Sequence, residues 1–315
     1  MDTFENVNFA SIIQTASEKC LGAVPSCVTA LGGGFYGRVF LVETDREPYK
    51  TVYKIYLYGG LAEREAAQLQ ALSLHALIKM PEVYFHHGAD VDIPNDVLAM
   101  EYVEGNNIGN MELSLDGDTR QRLANIMIDN QLSYHAAVNA EGFGDIGAAS
   151  YEPDWVTYYY PKAQSAYNKI TELYKKGKIT STVNSAAGRA FDKFDRIFYL
   201  PVEKAGLIHG DYNTWNILFD DAITRATAVI DPFDCCWSDP ELDLYQLTHA
   251  NGNYFGLLDL YKVKSGVSEN FMLKNSFYEL FTEMTHHYNA NQDVPPQKVN
   301  PYVEALNRQM DYFGL

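Results

Sequence analysis

Short runs in which Val, Tyr, Phe and Leu alternate with polar residues fill the first hundred positions: "CVTALG", "RVFLVET", "TVYKIYLY", "PEVYFHHG" and "DVLAMEYV", bounded by Gly, Pro and Asp. Runs of this length and composition predict β-strands. One stretch breaks the rhythm. In "LAEREAAQLQALSLHAL" the residues Leu61, Ala62, Glu65, Leu69, Leu72 and Ala76 share one stripe at helical spacing. That predicts a helix over 61–77 with Glu65 on the buried face and Glu63 in solvent. A carboxylate on an apolar stripe requires a cation partner. Beyond about residue 105 helical patterns take over. "DTRQRLANIMIDNQLSYHAAV" aligns Leu123, Ile126, Met127, Tyr134 and Val138 behind an acidic start. "PDWVTYYYPKAQSAYNKITELYKKGK" and residues 270–289 also read as helical, and Pro161 is expected to kink or break the first of these. No repeat or low-complexity tract interrupts the pattern. The expectation is an α+β chain, with an antiparallel sheet plus one helix over 1–102 and a larger, mainly helical part over 103–315.

At 315 residues, 47% hydrophobic and 13% aromatic, the chain can bury a sizeable core and is not a disordered one. Its formal charge of -17 repels phosphate backbones and anionic membrane surfaces, so neither nucleic acid nor membrane is an expected partner. A cationic small molecule is favoured instead, although any single Asp or Glu reads first as a solvating surface charge. Cys20, Cys27, Cys235 and Cys236 form no C-x-x-C pair and have no His at zinc spacing, which predicts a reducing compartment and no structural metal. The start, "MDTFENVNFASIIQ", is acidic where a leader is basic, and no eighteen apolar residues follow one another. A cytoplasmic protein is expected.

"LGGGFYGRVF" holds Gly32, Gly34 and Gly37 in the order G-x-G-x-x-G, with Val39 two residues on. Alone the pattern is weak. Here it is followed by a strand-like run and not by a helix, which argues against a dinucleotide fold, and it lacks the Gly-Lys-Ser/Thr ending of a P-loop. A glycine hairpin between strands is the form that covers the phosphates of ATP in kinases, and it predicts a lysine on the next strand and a carboxylate on the next helix. Lys54 in "TVYKIY" and Glu65 on its stripe meet both requirements. In "LIHGDYNTWNILF", His209, Asp211 and Asn216 reproduce the spacing H-x-D-x-x-x-x-N, in which the Asp accepts the substrate hydroxyl's proton and the Asn binds magnesium. Asp231 in "AVIDPF" closes a β-type run 15 residues beyond Asn216 and is the second candidate metal ligand. His209 reads as structural.

These residues resemble the aminoglycoside phosphotransferase, choline kinase and fructosamine kinase superfamily, a small-molecule branch of the protein-kinase-like fold. The resemblance runs from about Leu31 to Tyr261, and its most specific parts are "HGDYNTWN" and "IDPFDCCWSDPELDLYQL". It implies a two-lobe, protein-kinase-like architecture, with lobes at 1–102 and 103–315. It also implies Asp211 as base, Asn216 and Asp231 as Mg2+ ligands, and Asp243 as the residue that steadies the catalytic loop. The adenine-holding hinge would fall in "AMEYVEG", with backbone groups from Glu101 and Val103 and with Met100 behind the ring. Gly210 stands where a protein kinase would carry an arginine, and only 11 residues separate Asp231 from Asp243, too few for an activation segment. A protein substrate is not expected.

The function so implied is an ATP- and Mg2+-dependent phosphotransferase that moves the γ-phosphate to a hydroxyl of a small cationic or sugar-like molecule. A fructosamine or ketosamine kinase, or a non-catalytic nucleotide-binding pseudokinase, are the alternatives. Asp145, Glu152, Asp154, Asp234, Asp239 and Glu241 are acids that could face a cationic acceptor, and Trp215, Trp237 and Tyr158 to Tyr160 are aromatics that could wall it.

Overall fold

The computed structural model describes residues 7–34, 36–291 and 293–315. The leader expectation rests partly on residues 1–6, which lie outside the described residues. Two compact units form: Met1–Ile108 with Trp215–Phe233, and Gly109–Thr214 with Asp234–Leu315. The second part expected over 103–315 is therefore not one uninterrupted stretch.

The first unit opens with helix α1 (Phe9–Ala16) and then builds an antiparallel sheet from β1 (Pro25–Gly33), β2 (Gly37–Thr44), β3 (Lys50–Tyr56), β4 (Val83–His87) and β5 (Val97–Glu101), in the order β1-β2-β3-β5-β4. All five strands lie where the alternating runs predict them. Helix α2 (Leu61–Ser73) lies between β3 and β4 in the chain. It ends before Ala76, so the expected stripe is cut short, and Leu74 and Leu77 beyond it are exposed. Alternation in β3 sorts its side chains by face. Tyr53 and Ile55 join Ile12 and Ile13 of α1, Phe40, Val42, Val97 and Ala99 in one buried cluster, each Ile, Val and Phe side chain contributing roughly 1.5–3 kcal/mol. Lys54 and Tyr56 turn the other way, toward Glu65 of α2. Helix α1 escaped the sequence reading because its two buried isoleucines make too short a pattern to separate from a loop.

Strand β6 (Asn106–Asn107) ends the first long segment of this unit. The returning segment, Trp215–Phe233, adds a hairpin to it. In the second unit, α3 (Gly117–Ala136) leads to β7 (Val138–Asn139), β8 (Gly144–Asp145), α4 (Trp155–Lys175), α5 (Ser181–Asp192), α6 (Phe194–Ile197) and β9 (Ala205–Leu207). The hairpin of the first unit follows as β10 (Ile217–Phe219) and β11 (Ala226–Val229), with strand order β11-β10-β6. That pairing, together with the Val229 amide donating to the Lys79 carbonyl at 2.9 Å, ties residues 215–233 to the first unit. The second unit then resumes with β12 (Cys236–Ser238), α7 (Gly252–Phe255), α8 (Leu257–Ser265), α9 (Phe271–Asn289) and α10 (Pro296–Tyr312), and its small sheet has the order β7-β9-β12-β8.

Leu123, Met127 and Tyr134 are buried on α3 as expected, but Val138 lies past the helix end in β7 and is exposed. Pro161 does not break α4, which runs unbroken through it. The donor it lacks would serve a carbonyl on exposed Thr157, where water can substitute. The helix is held instead by Trp155, Tyr159, Ala163 and Ile170, buried in a core with Phe194, Phe277, Tyr278 and Phe281. Among the described residues no helix is long and apolar enough to cross a membrane.

Candidate functional site

The sequence-predicted residues fall into two groups, one in each unit. In the first unit, the β1–β2 turn depends on its glycines. Gly32 has φ of 143°, and a Cβ on Gly37 would stand 3.1 Å from the Ile55 carbonyl oxygen. Arg38 closes the turn by donating to the carbonyl oxygens of Gly34 at 2.8 Å and Gly37 at 3.1 Å. The Tyr36 carbonyl accepts from the Leu57 amide, and its ring stacks on Phe233 with centroids 5.3 Å apart. The turn is thereby tied to the segment that carries Asp231.

Val39 of β2 pairs in register with Lys54 of β3. The Lys54 ammonium donates to both oxygens of Glu65, at 3.0 and 2.7 Å, and to Asp231 at 2.5 Å. Tyr56, two residues on and so on the same strand face, donates its hydroxyl to Glu65 at 2.5 Å. Glu65 therefore has the cation that its place on the α2 stripe requires, and a phenol besides. Burial works against both charges. For Lys54 the carboxylates of Asp231 and Glu65 outweigh it and hold the ammonium above its usual range. For Glu65 burial prevails over the Lys54 contact and pushes the carboxyl up.

Asp231 adopts φ of 57°, a left-handed conformation that a short polar side chain tolerates. Its side chain is 49% exposed, whereas Glu65 on the other side of the ammonium is 9% exposed. The Ile230 amide donates to the Asn216 carbonyl at 2.9 Å, so Asn216 and Asp231 stand at the same open end of the β10–β11 hairpin. At the end of β5, Met100 is nearly buried and pairs with Val52 and Val83. The Glu101 amide is engaged by the Glu82 carbonyl at 2.8 Å, and its carboxylate by Lys79 at 2.5 Å. Only its carbonyl can then serve in the way the sequence suggests. Val103 follows beyond the strand.

In the second unit, the loop after β9 carries Asp211. Gly210 has φ of 82°, which explains a glycine there. Asp243 lies beneath the loop, 1% exposed, and accepts the backbone amides of His209 at 3.1 Å and Gly210 at 2.8 Å. His135 and Gln131 also reach it, at 3.3 and 3.4 Å. Burial alone would push the Asp243 carboxyl up, but the His135 contact, the nearby His209 and the loop amides outweigh it and hold it low. Asp211 takes the Asn213 side-chain amide at 2.7 Å, while its own amide donates to Nδ1 of buried His209 at 3.3 Å.

A depressed folded pKa contributes stability that is complete above the unfolded value, about 3.9, and is lost as pH falls toward the folded one. Asp243→Asn should therefore lower the unfolding free energy by about 1–3 kcal/mol at pH 7, with the difference shrinking below about pH 4. Urea midpoints of both proteins at pH 7 and pH 3.5 check this, and a gap that widens on acidification would contradict the assignment.

Two of the acids expected to face an acceptor do not. Asp239 is 2% exposed and binds Lys274 and the Tyr278 hydroxyl, both at 2.8 Å, and Glu241 binds Lys274 at 2.7 Å. Their charges are matched internally, because Lys274 on α9 is itself buried and needs them. Asp154 caps α4 through the Thr157 amide. Asp145 is exposed and takes the Tyr158 hydroxyl and Lys162. Tyr159 is core, while Trp215 and Tyr160 are exposed. Tyr56 and Asn213 were missed by the sequence reading. The period of two from Lys54 could have found Tyr56, but nothing in the sequence points to Asn213.

The sequence model of the phosphotransferase enzyme family, APH, matches residues 28–258. A protein of Escherichia coli strain K12, "Uncharacterized protein YcbJ", is 20% identical over 259 residues, covering 80% of this chain and 83% of its own. Among solved structures, a putative fructosamine-3-kinase from Thermobifida fusca is similar with a TM-score of 0.64 and 19% identity, over 94% of this chain and 98% of that one. A thermostable mutant of aminoglycoside phosphotransferase APH(4)-Ia, in a ternary complex with ADP and hygromycin B, gives a TM-score of 0.63 and 15% identity, over 98% and 97%. At these identities the structural likeness shows the fold alone, and the fold is the kinase-like α+β one expected.

Proposed function

The chain belongs to the phosphotransferase enzyme family, and on that premise we propose that it transfers the γ-phosphoryl group of ATP to a hydroxyl of a small cationic or sugar-like molecule. The observation that carries this reading is the Lys54 ammonium, bound between buried Glu65 and half-exposed Asp231 beside a glycine turn. Glu65 and Tyr56 fix the ammonium, Lys54 neutralises the α- and β-phosphates, and the turn of Gly32, Gly34 and Gly37 with Val39 covers them. Met100, the Glu101 carbonyl and Val103 hold the adenine. Asp211 orients the acceptor hydroxyl and takes its proton as the O–P bond forms, and ADP leaves.

Asn216 and Asp231 would hold Mg2+. The residues fit: Asp231 already takes a cation, the Lys54 ammonium, and is open enough to take another. Two protein ligands suit an ion that keeps waters and substrate phosphates among its ligands. When bound, Mg2+ offsets the charge of the transferring phosphoryl group. The nucleotide reading is supported by the ADP in the APH(4)-Ia complex.

The test is ADP release from Mg-ATP with separate pools of aminoglycosides, amino alcohols, fructosamines and simple sugars. One pool should raise turnover toward about 1–100 per second. Silence in all pools, with ATP binding that does not need magnesium, would favour a binding module instead.

A further inference from the structure

Asp211 is not held by its loop alone. The Asn213 side-chain nitrogen donates to Asp211 Oδ1 at 2.7 Å and to Gln246 Oε1 at 3.2 Å. Gln246 in turn donates from Nε2 to the Tyr245 hydroxyl at 3.0 Å. The three side chains are 6%, 3% and 2% exposed. The carboxylate can only accept, which turns the Asn213 nitrogen toward it, and that nitrogen also donates to the Gln246 oxygen and so leaves the Gln246 nitrogen facing the Tyr245 hydroxyl. The same nitrogen also lies 3.5 Å from Asp211's own carbonyl oxygen, a local contact that any asparagine two residues on could make. The Gln246 link is not local, coming from 33 residues away in a segment that also carries Asp243.

Resting on the phosphotransfer reading above, we propose that Asn213 and Gln246 are positioning residues for the reaction, Gln246 acting through Asn213 to set the plane of the Asp211 carboxylate. Holding Oδ1 against a fixed donor sets the direction in which Oδ2 can take the acceptor's proton. Nucleotide contacts are untouched by this arrangement, so it should act on kcat and not on the KM for ATP.

The experiment is a double-mutant cycle in full-length protein, with the acceptor pool that supports wild-type turnover. Asn213→Ala should lower kcat about 10- to 100-fold with the KM for ATP within about twofold, and Gln246→Met, of similar shape, about 3- to 30-fold. Combined, they should lose no more than Asn213→Ala alone, because Gln246 has nothing to act through once Asn213 is gone. Losses that multiply, or a kcat unchanged in Asn213→Ala, would overturn the proposal while the Asp211→Asn protein, run alongside, still reports on the base. Should either variant fail to fold by its melting curve, Tyr245→Phe removes one oxygen from the end of the chain and keeps the ring. It should lower kcat several-fold at constant KM for ATP, and no change there overturns the proposal. Wild-type silence with every acceptor pool would remove the phosphotransfer reading and this inference together.

Discussion

Asp211→Asn is expected to lower acceptor-dependent ADP release about 100- to 10,000-fold, the range spanned by a positioned general base. The substitution preserves shape. Asp243 would still hold the backbone amides of His209 and Gly210, and an amide oxygen at this position could still accept from Asn213. Stability should therefore change by less than about 1 kcal/mol, as for substitutions that leave packing intact. Nucleotide binding should survive as well, because the groups assigned to it are Lys54, the glycine turn and the end of β5. At about a hundred times its dissociation constant, Mg-ATP should stabilise wild type and variant alike by roughly 2.7 kcal/mol. Three outcomes separate the readings. Turnover lost with ATP binding kept is the signature of a base. Turnover unchanged would refute the role of Asp211. A wild-type protein that binds ATP, needs no magnesium and never turns over would be the non-catalytic module.

The first unit was legible in the sequence because its signals are local. A strand of alternating residues fixes which side chains share a face, so Lys54 and Glu65 could be paired before any contact was known, and the structure places them 2.7 Å apart. The glycine turn and the loop of Asp211 were legible for a similar reason: each is a short run whose spacing carries its geometry. What stayed hidden depends on distant chain segments. Asp231 was expected to bind metal, but its contact with Lys54 joins residues 177 positions apart. Asp239 and Glu241 read as acids that could face an acceptor because their buried partner, Lys274, lies on a distant helix and nothing in the sequence marks that lysine as inside. Pro161 was read by its usual effect on a helix, and the aromatic packing around Trp155 and Tyr159 overrode it. The grouping of the returning hairpin of residues 215–233 with the first unit was not legible, since its pairing with Asn106 and Asn107 is written in backbone hydrogen bonds and not in side chains.

The second large effect concerns Lys54, where stability and activity should come apart. Lys54→Met leaves the Glu65 carboxylate buried with only the Tyr56 hydroxyl known to reach it, and removing one partner of a buried pair costs about 3–5 kcal/mol. Asp231 loses the same ammonium, but as a half-exposed group it is rescued by water and adds little. Adding Glu65→Gln removes the stranded charge while still accepting from Tyr56, so Lys54→Met with Glu65→Gln should recover most of the loss, to within roughly 1–2 kcal/mol of wild type. Activity should not follow. A neutral pair cannot offset phosphate charge, and turnover in both proteins should fall at least about 100-fold. Urea midpoints measure the first quantity and ADP release the second. If activity returned along with stability in the double variant, Lys54 would be a structural cation satisfying Glu65, and the phosphate-binding role assigned to it would have to pass to another residue.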